Sequence, residues 1–137
     1  MNLFMILISL LNFSYQGNLE IKDAWVRPGA IGMNTALYFK VENNSDKADT
    51  LLSVKSSIAD VVQTHETYKK GDMMGMREVK AIAIEPNSTF EFKPGGYHVM
   101  VIGLKKDLRK GDAAEFTLHF KNAGDINVKT LVKMDGN

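Results

Sequence analysis

The stretch Thr35-Ala-Leu-Tyr-Phe-Lys-Val-Glu42, broken by Asn43-Asn-Ser-Asp46, decides the fold class. Leu37, Phe39 and Val41 recur with period two, so an extended chain sends all three to one face. The Asn, Ser and Asp side chains that follow bond their own backbone and favour a turn over a continued strand. The same strand-and-turn grammar runs outward in both directions. It predicts strands at Glu20–Arg27, Asp49–Ser53, Val61–Tyr68, Met76–Ile84, Thr89–Phe92, His98–Gly103, Ala114–Phe120 and Ile126–Lys133. Pro86-Asn87, Pro94-Gly95-Gly96 and Lys110-Gly111-Asp112 punctuate them. With no long run of 3.6-residue periodicity, the chain is expected to be all-β, a Greek-key sandwich or barrel.

Alternation places one further side chain and leaves another open. Phe116, Leu118 and Phe120 are expected inside, which turns His119 to the opposite face as an ordinary solvated histidine. In Asp23-Ala-Trp-Val-Arg27, strict alternation groups Trp25 with Asp23 and Arg27, and leaves its burial open between core packing and cover for a sheet edge.

Composition removes several function classes. Lys and Arg number 17 against 16 Asp and Glu, a formal net charge of +1, so no basic excess is available to displace counterions from nucleic acid. There is no cysteine, which excludes disulfides, thiolate nucleophiles, cysteine zinc sites, iron–sulfur clusters and the cysteine-ligated blue-copper centre. It also leaves no thiol for lipid attachment.

Residues 1–17 carry no charge, and Leu3–Phe13 is an apolar run interrupted by Ser9 and Asn12. As a helix this run would reach about 16 Å, roughly half of a bilayer's hydrocarbon core, so it suits an export signal better than a fixed membrane span. The expectation is a signal peptide over residues 1–17 and one exported domain over 18–137. A buried first core segment is the alternative for the apolar run.

Methionine occurs eight times, and two histidines stand close to it in sequence. In Tyr97-His-Val-Met100, His98 and Met100 leave the same face of a strand, with Cα atoms roughly 7 Å apart, close enough for one metal to bridge them. His65 and Met76 are further candidates, the latter beside Gly75, read here as part of a turn. Thioethers are soft and neutral and suit Cu(I) rather than zinc, calcium or magnesium. Outside the cytoplasm they also stay available where a thiol pair oxidises to a disulfide. Taken singly, each Met or His is more often a packing residue. Glu66, the one carboxylate adjacent to a candidate ligand, lies on the opposite face of its strand from His65.

From His65 to Met100 the spacing is H-x10-M-x21-H-x-M. It resembles the copper-binding signature of the PCu(A)C family of periplasmic copper chaperones. Asp23-Ala-Trp-Val-Arg-Pro28, His65-Glu-Thr67, Met74-Gly-Met-Arg77 and Lys93-Pro-Gly-Gly-Tyr-His-Val-Met100 are similar to that family too, and the likeness covers residues 20–134. The resemblance implies a cupredoxin-like β-barrel that holds one Cu(I) per chain on His65, Met76, His98 and Met100. It implies a monomeric carrier in the periplasm and no catalysis. The carrier would deliver copper by ligand exchange to the Cu(A) centre of cytochrome c oxidase, alongside a Sco-like thioredoxin-fold protein. Thr67 stands where relatives often carry methionine, and Met33, Met73 and Met74 are candidates to assist. The terminal Met134-Asp-Gly-Asn137 lacks the His/Met-rich tail of some relatives, so a single site is expected. The competing reading is a secreted structural or adhesive β-sandwich whose His/Met cluster is dry packing.

Overall fold

A computed structural model describes residues 18–135. The expected signal peptide at 1–17 lies outside the described residues, as do 136 and 137, the last residues of the proposed domain.

Ten strands form, with no helix among the described residues: β1 (Leu19–Val26), β2 (Thr35–Asn43), β3 (Asp49–Lys55), β4 (Ala59–Lys70), β5 (Met73–Glu78), β6 (Ile82–Ile84), β7 (Ser88–Glu91), β8 (Tyr97–Leu104), β9 (Ala113–Phe120) and β10 (Gly124–Val132). All belong to one hydrogen-bonded sheet in the order β5-β4-β8-β2-β1-β10-β9-β3-β6, with β7 on β2. β3 also contacts β4, and β6 contacts β7, so the sheet curls round upon a common core. The all-β class is as the alternation predicts.

β2 anchors this arrangement. One edge pairs with β1; the other is shared, with Thr35–Leu37 on β8 and Lys40–Asn43 on β7. Leu37, Phe39 and Val41 are fully buried, and Phe39 stacks on Phe92 with ring centroids 4.3 Å apart. On β9 the inward set Phe116, Leu118 and Phe120 is buried, while His119 faces solvent and its Nδ1 sits 2.6 Å from Asp125. Polar pins hold the corners. Asp49 is buried and accepts backbone N–H bonds from Thr50 at 2.7 Å and from Asn122 and Ala123 at 2.9 Å, tying β3 to the β9–β10 turn. Asn43 donates to the carbonyls of Lys47 and Glu85 and accepts from Ser45, so the residue that ends β2 folds the turn after it.

Three local readings are corrected. The run Met76–Ile84 is two strands, because β5 pairs with β4 whereas β6 crosses to β3. Gly75 lies inside β5 and not in a turn; it pairs with Tyr68, and a Cβ there would stand 2.7 Å from the Tyr68 hydroxyl. The turn is Gly71-Asp72, where Gly71 has φ 62°, a left-handed conformation that suits the first position of a two-residue hairpin loop. In β1 a bulge between Lys22 and Trp25, with Asp23 at φ 55°, shifts the alternation by one residue. Leu19 and Ile21 before the bulge and Ala24 and Val26 after it therefore pack on the core, and Trp25 covers Tyr38 from outside at 4.7 Å.

Candidate metal centre

Strand register assembles the site. Directly opposed residues of an antiparallel pair project to the same face. β4 and β8 oppose His65 to His98 and Gln63 to Met100, and the β4–β5 hairpin opposes Thr67 to Met76. All four candidate ligands thus share one face of three adjacent strands. Met76, His98 and Met100 line one cavity of about 380 Å³, together with Thr67, Tyr38 and Arg27. His65 does not line it. Its ring sits beside that of His98, with centroids 5.8 Å apart and planes inclined by 52°. The larger surface cleft around Asn43 and Asp49, about 650 Å³, carries neither histidine nor methionine.

The two imidazoles are held differently. His98 is buried, and its Nδ1 lies 3.2 Å from the Gly96 carbonyl. A carbonyl only accepts, so Nδ1 carries the proton and the Nε2 lone pair of the neutral ring is left for another partner. The Nε2 of His65 faces the Gln63 side-chain oxygen at 3.0 Å, while its Nδ1 is buried with no hydrogen-bond partner among the described residues. Burial, helped by the neighbouring His98, pushes the His65 pKa below its usual value, against the pull of Glu78. His65 is therefore neutral at pH 7, the form that can donate a lone pair.

The donor chemistry fits a soft cation. Two imidazoles and two thioethers stand near one another, one imidazole is oriented by a backbone carbonyl, and the other has a buried nitrogen with no hydrogen-bond partner among the described residues. Among the described residues no group of three or more His, Asp or Glu side chains comes together, so nothing gathers the oxygen ligands a hard cation needs. Glu66 is committed elsewhere: Arg77 Nε donates to it at 2.6 Å and Tyr97 bonds it, and these partners hold its carboxyl below the usual range. That places it on the far face, as the alternation predicts.

Of the assisting candidates, Met74 opposes Lys69 on the same face as Met76, two residues further from the histidines, and Met73 is on the other face. Met33 precedes β2, where its carbonyl accepts from Leu104. All three are exposed and none lines the cavity. Sequence reasoning missed Arg27 and Tyr38 at this site. The Asp-Ala-Trp-Val-Arg motif held the signal, but the bulge that aims it is not visible in the residue pattern.

Residues 19–132 match the LpqE-like family, described as "Putative lipoprotein LpqE-like". The chain is 34% identical over 115 residues to "Putative lipoprotein Lxx21020" of Leifsonia xyli subsp. xyli, covering 83% of this chain and 69% of that protein. It is 29% identical over 116 residues to protein RP573 of Rickettsia prowazekii, covering 80% of this chain and 61% of that protein. Among solved structures, the copper-bound PCuAC domain from PmoF2 superposes with a TM-score of 0.73 at 31% identity, covering 88% of this chain and 96% of that one. The solution structure of CuI-DR1885 from Deinococcus radiodurans gives a TM-score of 0.66 at 26% identity, over 92% and 86% of the two chains. With residues 19–132, nearly all of its described length, matched, the chain belongs to the LpqE-like family and has the cupredoxin-like fold of PCuAC domains.

Proposed function

We propose that this chain is an exported copper carrier that binds one Cu(I) through His65, Met76, His98 and Met100 and passes it to an acceptor by ligand exchange. The observation that carries this reading is His98, its Nδ1 bonded to Gly96 and its ring lining one cavity with Met76 and Met100, beside a His65 whose Nδ1 has no partner. The copper-bound PCuAC relative and CuI-DR1885 support it. No ligand in the set brings negative charge, so the ion keeps its own, which favours release to a partner offering thiolates or imidazoles over permanent retention. The Cu(A) subunit of cytochrome c oxidase and a Sco-like thioredoxin-fold protein are acceptors of that chemistry. Action as a monomer outside the cytoplasm, as a domain of residues 18–137 freed from residues 1–17, belongs to the same proposal. The lipoprotein names of the relatives support the export.

The test is an anaerobic titration of residues 18–137 with Cu(I) against a chromophoric chelator. One tightly held Cu(I) per chain is expected. Failure to compete with even a weak chelator would overturn the carrier reading in favour of a secreted structural sandwich.

A further inference from the structure

Arg27 lines the same cavity as Met76, His98 and Met100. Its backbone is fixed just past the end of β1: its N–H donates to the Ala36 carbonyl at 3.1 Å, and its own carbonyl accepts the Thr35 hydroxyl at 2.8 Å. Its guanidinium carbon lies 5.7 Å from the Trp25 ring centroid and 5.6 Å from that of Tyr38, within reach of both π-faces. Nε is buried and has no hydrogen-bond partner, and among the described residues no carboxylate comes within ion-pair distance of this side chain. Asp135 borders a neighbouring small cavity with Arg27 and forms no ion pair with it. A guanidinium does not lose its proton, so the charge is permanent. Among the described residues the fold therefore holds a cation with no ion-pair partner, flanked by two aromatic rings, on the wall of a cavity whose own His and Met donors bring no negative charge.

Resting on the copper reading above, we propose that Arg27 selects the oxidation state of the bound metal, disfavouring Cu(II) relative to Cu(I) at this site. The repulsion scales with the charge of the ion, so the doubly charged ion bears one unit more of it than the singly charged one. Across a partly solvated cavity of this size one unit of repulsion corresponds to roughly tenfold in a binding constant. The aromatic pair lets the protein keep that charge in place without the carboxylate that would cancel it. A carrier working in an oxidising compartment thereby holds its cargo in the form that thioethers bind and acceptors exchange. No electron transfer by the protein is involved; the selection is a difference between two binding equilibria.

The experiment measures both dissociation constants for the wild-type chain and three variants, Cu(I) anaerobically against a chromophoric Cu(I) chelator and Cu(II) against glycine. Arg27→Gln removes the charge and should shift the ratio of the two affinities about tenfold toward Cu(II). Arg27→Lys keeps the charge and should restore the ratio to within about twofold of wild type. Asn34→Lys, at an exposed position on the same cavity, adds a second charge and should move the ratio the opposite way even if Arg27→Gln fails to fold. Equal losses of both affinities in Arg27→Gln, or an unmoved ratio in Asn34→Lys, would overturn the selection and leave the carrier reading intact. A wild-type chain that binds no Cu(I) would overturn both.

Discussion

His65 and His98 oppose each other across β4 and β8, yet of the two only His98 borders the cavity; His65 stands beside it with a buried Nδ1 that has no hydrogen-bond partner among the described residues. Burial depresses the His65 pKa below its reference of 6.5, so from that value down to the folded-state pKa the unfolded chain binds more protons than the folded one. Stability should thus rise with pH through that window and be lost as pH falls below about 6.5. Thermal unfolding of the metal-free protein, followed by circular dichroism from pH 5 to 7.5, should show this slope, and His65→Asn should flatten it. An identical slope in the variant would assign the effect to other groups.

Met76 is more than half exposed, so Met76→Ala should cost little folding stability, under about 1 kcal/mol, while lowering Cu(I) affinity at least tenfold. His98 is buried and bonded to Gly96, so His98→Ala should lower affinity and also the melting temperature. Chelator competition alongside thermal melts separates the two effects. An unchanged Cu(I) affinity in Met76→Ala would remove that residue from the ligand set.

Asp49 satisfies three backbone N–H groups at the junction of β3 with the β9–β10 turn. Asp49→Ala strands those donors in a buried corner and should destabilise the fold by about 3 kcal/mol in urea unfolding. The site lies elsewhere, so the Cu(I) stoichiometry of the folded variant should be unchanged.

Phe92 stacks on Phe39 and is 2% exposed. Truncation to Ala opens a cavity against the central strand and should cost about 3–5 kcal/mol, read from the same urea midpoints. A loss below 1 kcal/mol would mean that Tyr97 and Phe90, packed beside it, collapse into the space.

Much of the architecture was legible because period-two alternation reports directly on burial. Leu37, Phe39 and Val41 on β2 and the Phe116, Leu118 and Phe120 set on β9 are examples. Where pairing partners change, alternation is silent: nothing local in Met76–Ile84 reveals that Glu78 belongs to β4's neighbour and Ile82 to β3's. A bulge is similarly hidden, since Asp23 looks like any strand residue until its left-handed backbone reverses the phase for Trp25. At the site, one-residue spacing placed His98 and Met100 on a common face, whereas bringing Met76 there required the β4–β5 register. Arg27 and Tyr38 join it through cross-strand geometry, so the motif that carries Arg27 did not show where that residue points.

β5 stands at one end of the hydrogen-bonded order, with β4 as its only strand partner among the described residues. The sulfur of Met76 is therefore carried on a strand bonded along one edge, while His98 and Met100 sit on an interior strand flanked on both sides. On the proposed copper reading, peeling that margin back would expose the metal on one flank at far less cost than global unfolding. A carrier built this way would loosen its grip from one side, as a clasp opens on its hinge, with its barrel intact.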